Sequence, residues 1–461
     1  MLKSRLSLVI LGLIAVAGLF ACSPAPQAPG ENASSKEKII TITANNGPLE
    51  EDVEQHEENA AKNAAFYEKY PNIRVVESTW QYTPDSFLTK MAGGTVTDII
   101  GIPLATELKH IVEKGLALDL TPMIETWEGR KSLNPTVMRN YTVDGRVYAL
   151  PGGPGYSMAL GYHKRLFREA GLVDAEGNYL YPKTWDELAE TAVKLTDKSK
   201  GQVGYVLLGG DTAASWHFLN WVFQAGGEFE RKVDGKWTAV FNEPPAVTAL
   251  QFIKDLRWKH HCVQEDVFID NDGLLEMMAS GRAAMATITP EYLRHLERRF
   301  GMKLEDLGIA PLPAGPAGYA CVMGGGFGII NPTIPKKRQE AAFKNLTFGL
   351  TPAAHEAAFK VRQKQGRVIG YPGVAHLVGQ WQEEWDTMEA KYRTLPYYGE
   401  YRKNVSQYAR FEPPYYTQQL YRQILLPPLQ EVLINPDSNP KALLDKAVRD
   451  FQTQFLDELN L

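Results

Sequence analysis

Residues 37–461 read as one continuous water-compatible stretch, and that stretch is too long for a single core. Single hydrophobic cores stop growing beyond about 250–300 residues. Two lobes are therefore expected, and a hydrophobic content of 44% is enough to fill them. The first elements alternate. Ile39–Thr43 is β-rich, Glu50–Tyr70 has helical composition, and Pro71-Asn72 turns the chain into a strand over Ile73–Glu77. Strand, helix, strand in that order predicts a parallel unit. A helix over Pro84–Ala92, a Gly93-Gly94 break, a strand over Asp98–Ile102 and a helix over Ala105–Lys114 ended by Gly115 continue the pattern. Downstream, Thr184 followed by Glu187 predicts a capping box, in which side chain and backbone satisfy each other at a helix start. Asn242-Glu243-Pro244 opens another helix, and Asp270-Asn271-Asp272-Gly273 reads as a turn before a helix over Leu274–Ala279. After Val378 strands nearly vanish, and amphipathic stretches such as Lys441–Leu459 predict a helical coat.

Ahead of this run stands a leader. Lys3 and Arg5 form a basic head, Leu6–Phe20 is almost wholly apolar, and Leu19-Phe20-Ala21-Cys22 closes the segment on a small residue and a cysteine. That order is a secretory signal over residues 1–21. Its apolar run falls short of the ~20 residues a spanning helix needs. The tetrapeptide resembles the lipobox of bacterial lipoproteins, which implies that Cys22 receives a diacylglycerol and becomes the N-terminus of a membrane-anchored, extracytoplasmic protein. Plain secretion and an uncleaved span are the alternatives. Residues 22–36, with three prolines close behind the cysteine, bury nothing and read as a flexible tether.

Charge and cysteine content exclude some partners. The net charge of -5 is spread along the chain, and no basic block is present to follow a nucleic-acid backbone. Besides Cys22 only Cys262 and Cys321 remain, too few for a disulfide framework, and whether those two pair is open.

Several segments, in order and spacing, resemble extracellular solute-binding proteins of ABC importers, and among them the sugar-binding family typified by maltose-binding protein. They are Ala65–Val75, Lys90–Ile100, Val143–Pro151, Gly161–Leu172 with Pro182–Leu188, Met277–Met285 and Gly324–Ile329. Together they reach across most of Lys38–Leu461. The resemblance implies an α/β, two-lobed periplasmic-binding-protein-like fold with interlobe hinge crossings and C-terminal helices. It implies a first lobe of residues 37–150 and 325–374 and a second of 151–324 and 375–461. It also implies a monomer that captures a carbohydrate, delivers it to ABC transporter permease subunits, and uses no cofactor, metal or catalytic residue. Two positions depart from the pattern. The family has Asn where His163 stands, and Ile102–Thr106 lacks the acidic residue of maltose binders.

A hinge needs residues that tolerate backbone change. Pro151-Gly152-Gly153-Pro154-Gly155 suits one crossing and Gly324-Gly325-Gly326 a second. Neither is followed by the Lys-Ser/Thr of a phosphate-binding loop. Sugars present apolar C–H faces and polar rims, so their sites combine aromatic plates with planar polar groups. The loops expected at the cleft offer Asn45 and Asn46, Trp80 and Tyr82, Tyr156, Asp211 and Trp216, Glu291 and Tyr292, Arg367 and Tyr371, and Tyr415 and Tyr416. Trp185, Trp221, Trp258 and Trp381 fall in helical patterns and are assigned to packing. His260-His261-Cys262 fits no zinc spacing, and Asp270–Gly273 lacks the bidentate Glu of a calcium loop, where Gly281 stands instead. Three competing readings remain beside sugar capture: a secreted carbohydrate-active enzyme, a binder of a non-sugar solute, and a sensory partner that presents its closed form to a receptor.

Overall fold

The Ile- and Val-rich runs become strands because β-branched side chains pack well on a pleated, half-buried surface. Ile40–Ala44, Ile73–Glu77 and Ile99–Ile102 form the parallel half of a five-stranded sheet, with Ile40 opposite Ile73 and Ala44 opposite Ile99. The connecting helices are Val53–Lys69 and Pro84–Ala92. Phe327–Ile330 adds antiparallel to Ile99–Ile102, and Leu150–Pro151 adds antiparallel at the edge. A second sheet runs Leu307–Ala310, Ala159–His163, Ala283–Ile288, Val203–Val206. Each sheet carries its own helices, which gives a mixed α/β, two-lobed chain. The computed structural model describes residues 38–103, 105–396 and 398–460; the leader, Cys22 and the tether lie outside the described residues.

Local signals act largely as the sequence suggests. Thr83 and Ser86 make a reciprocal capping box at Pro84, and Asp270 accepts from the Gly273 N–H at 3.0 Å to start the helix Asn271–Ala279. The Thr184 box is only half formed. Thr184 accepts from the Glu187 N–H at 3.2 Å, but the Glu187 carboxylate takes the Lys183 N–H at 2.7 Å, because the chain enters from that side.

The C-terminal coat comprises the helices Gln380–Tyr392, Gly399–Tyr408, Leu426–Ile434 and Pro440–Gln454, broken by one short strand, Ala409–Phe411. Its first member does not follow the expected boundary at 374/375. Trp385 packs on Phe359 at 6.1 Å and Trp381 on Trp127 at 5.7 Å, which seats Gln380–Tyr392 against helices of the first sheet. An aromatic face matched to its neighbours decided that placement, and chain order did not. Cys262 and Cys321 are buried and unpaired. Among the described residues no helix is long and apolar enough to cross a membrane.

Candidate functional site

Three chain segments pass between the sheets side by side. The first runs from Leu150–Pro151 through Gly152–Gly155 to Tyr156–Ser157, and the second returns from Cys321–Gly324 through Gly325 and Gly326 to Phe327–Ile330. The Gly152 N–H donates to the Gly326 carbonyl at 2.9 Å. A third segment joins them where the Gly155 and Val374 backbones exchange hydrogen bonds of 3.0 and 2.8 Å. The approach is too close for side chains at two points. A Cβ on Gly373 would lie 2.5 Å from the Gly155 carbonyl, and one on Gly324 would lie 2.5 Å from the Tyr156 ring.

Over these crossings lies a cavity of about 1140 Å³. Its floor is Gly152–Tyr156, Gly325, Gly326 and Gly370–Gly373. One wall comes from the first-sheet helices Val53–Lys69 and Pro352–Lys364 through Lys62, Phe359 and Arg362; another comes from Arg294 and His295 on Pro290–Arg298, which follows a strand of the second sheet. Trp385, Asp386, Glu389 and Arg402 complete it.

Two buried acids brace the walls. Glu58 is fully buried and binds Lys62 at 2.8 Å, Arg362 through two bonds of 2.8 Å and Arg367 at 3.0 Å. Burial pushes its carboxyl up, but Arg362 and Lys62 outweigh that and hold it at about 2. Glu389 accepts from Arg402 at 2.6 and 3.0 Å and from Arg393 at 3.3 Å. The Lys62, Arg362 and Arg402 head groups are thereby fixed in place. His376 packs edge-on against Trp385, and burial lowers it to about 4, so its imidazole is neutral at neutral pH.

Of the residues singled out from sequence, Tyr156 and Tyr371 line the cavity. Trp216 stands behind, its ring edge-on to Tyr156 at 5.8 Å, and so sets the angle of that plate. The others are engaged elsewhere. Asn45 and Asn46 both donate to the Gly101 carbonyl, at 3.1 and 2.8 Å, and tie the first and third strands together. The Trp80 indole donates to Ser86 at 3.0 Å, and Tyr82 is buried against Phe87. Asp211 accepts from the Ala213 N–H at 2.8 Å as the N-cap of Thr212–Gln224. Tyr292 is buried and its hydroxyl donates to Asn271, while the Glu291 side chain lies outside the described residues. Arg367 serves Glu58; Tyr415 is buried, donating to Glu113 at 2.5 Å, and Tyr416 packs on Phe455 at 5.4 Å.

Sequence reasoning missed Lys62, Arg294, Arg362, Glu389 and Arg402. Only Arg294 had a usable signal, since it follows Glu291 by three residues and therefore shares a helix face with it. The rest reach the cavity through tertiary packing.

The family pattern for bacterial extracellular solute-binding proteins matches residues 47–356. A probable ABC transporter-binding protein of Deinococcus radiodurans is 26% identical over 230 residues, 49% of this chain and 52% of that protein, so the chain spans about half the length of that curated relative. Solved structures agree in fold. The sugar-binding protein MalE of Xanthomonas citri superposes with a TM-score of 0.70 at 18% identity, covering 91% of this chain and 97% of that one. The cyclic alpha-maltosyl-1,6-maltose binding protein of Arthrobacter globiformis gives 0.68 at 21%, covering 90% and 98%. A solute-binding protein of Thermotoga lettingae bound with alpha-D-tagatose gives 0.66 at 23%, covering 90% and 99%. With two sheets joined by three crossings and a cavity above them, and with the family pattern extending over most of the folded chain, this protein belongs to the bacterial extracellular solute-binding protein family.

Proposed function

We propose that this protein captures a sugar or oligosaccharide in the cavity over its crossings and delivers it to the permease subunits of an ABC importer. The cavity carries the reading. At about 1140 Å³ it is slightly larger than the roughly 300–1,000 Å³ of small-molecule sites, room for more than one sugar ring. Tyr156 and Tyr371 offer aromatic faces to the C–H side of a sugar, and the charged groups around them offer donors and acceptors to its hydroxyls. Capture needs no chemical step. A ligand that touches both walls favours the closed arrangement by its differential affinity for it, and the transporter would then read that shape.

A thermal-shift and calorimetric screen of the purified chain against mono- and oligosaccharides tests this. A ligand at 100 times its Kd adds about 2.7 kcal/mol of stability. Tyr156→Ala and Tyr371→Ala are each expected to weaken sugar binding roughly 10- to 100-fold with unchanged circular dichroism. If amino acids or polyamines shift the melting point and no carbohydrate does, the sugar assignment is wrong. Anchoring through Cys22 belongs to the same proposal, because a tether raises local concentration at the importer. Cys22→Ser is expected to abolish labelling by radioactive palmitate and to release the protein from membranes; a labelled, membrane-bound variant would overturn that part.

A further inference from the structure

Resting on that reading of the cavity, we propose that the captured carbohydrate bears an acidic group, a carboxylate or a phosphate, and that Arg294 receives it. The walls carry a surplus of positive charge. Lys62, Arg294, Arg362 and Arg402 face the cavity from separate helices, against Asp386 and Glu389. Glu58, buried behind them, binds Lys62 and Arg362, and Glu389 binds Arg402. Arg294 differs. It is exposed to the cavity, and among the described residues no carboxylate pairs with it. Asp386 is held in a hydrogen bond from Gln382 at 2.9 Å on the helix Gln380–Tyr392.

Closure decides what this arrangement prefers. When the walls close over a ligand, the guanidinium of Arg294 loses water, and an unpaired charge moved out of water is costly. A neutral sugar offers it hydroxyls only. A carboxylate or phosphate offers two oxygens in the geometry that the planar guanidinium fork matches, and brings a full negative charge to it. Tyr371 lines the same cavity as Arg294 and Arg362, and both cations act electrostatically on its hydroxyl, with Glu297 acting in the opposite sense. A ring stacked there would carry its acidic substituent toward the two cations. His295, beside Arg294 on the same wall, offers a further donor.

The test is calorimetric titration of the full mature chain with matched probes: galactose and galacturonate, their short oligomers, and glucose with glucose 6-phosphate. The acidic member of one pair is expected to bind roughly 10- to 100-fold more tightly than its neutral partner, with affinity that falls as sodium chloride rises. The uronate and phosphate arms tell the two acid chemistries apart. In Arg294→Gln the preference should collapse while the neutral partner binds as before. Neutral sugars binding as tightly as both acids would overturn this inference and leave sugar capture standing, as would an acid preference untouched in Arg294→Gln. Silence from every carbohydrate, neutral and acidic, would overturn the proposed function itself.

Discussion

Glu58→Gln is expected to cost about 3–5 kcal/mol of folding stability, the usual penalty for removing one partner of a buried ion pair. Three cations depend on this carboxylate. Lys62 sits one turn away on the same helix, but Arg362 and Arg367 come from more than 300 residues downstream, and the bonds join Val53–Lys69 to Pro352–Lys364 and the segment after it. An amide of the same shape keeps one acceptor and loses the charge, leaving the 27% exposed Arg362 guanidinium without its anion and the 14% exposed Arg367 guanidinium with Glu54 alone, at 3.7 Å. Against a total of roughly 5–15 kcal/mol, the loss is large. Its pH dependence identifies the cause. The native carboxyl titrates near 2 and the unfolded one near 4.5, so the stabilisation is fully present above pH 4.5 and drains away as pH falls toward 2. Urea melts of both proteins should therefore differ most at neutral pH and converge in acid. A constant difference across that range would mean that packing, and not charge, is what Glu58 provides.

The same residue shows where sequence reading reaches its limit. Hydrophobic period and capping chemistry are local, and they located the strand Ile73–Glu77 and the helix Pro84–Ala92 to the residue. Glycine runs marked two crossings for a comparable reason, since a backbone that must lie against another backbone excludes a Cβ. Site residues answer to a different constraint. Loop aromatics such as Trp80 and Tyr292 lie near the ends of the right elements, yet they turn toward partners on their own side, and composition does not encode which way a loop side chain turns. Asp211, a candidate contact by its loop position, caps the helix Thr212–Gln224, a role that Asp fills commonly. The cavity walls depend on Arg362 and Arg402, which look in sequence like solvated helix charges. They become wall residues only because Glu58 and Glu389 are buried beside them.

Glu230 makes the opposite prediction to Glu58, and the contrast separates the two acids experimentally. Its carboxyl is buried at the start of the hairpin Glu230–Ala239. One oxygen accepts from the Tyr415 N–H at 2.8 Å, and the other is buried without a hydrogen-bond partner. Burial raises its pKa to about 8, against the smaller lowering effects of that N–H and of Lys109. A raised pKa means that the native state holds the proton more tightly than the unfolded chain does. The contribution is therefore complete below about pH 4.5 and is lost as pH climbs through 8, at a slope of at most ~1.4 kcal/mol per pH unit. Glu230→Gln keeps the acceptor and cannot ionise, so the variant should match the parent near pH 4.5 and be the more stable of the two at pH 8.5. Glu412 is also raised, to about 7, by burial beside Trp216 and Tyr421, and it will bend the parent curve in the same direction. That acid is present in both proteins, so the difference between their urea midpoints from pH 4 to 9 reports Glu230 alone. A flat difference would show that water reaches the carboxyl, and that the contact it supports, Tyr415 held on Glu113, is looser than its 2.5 Å hydrogen bond implies.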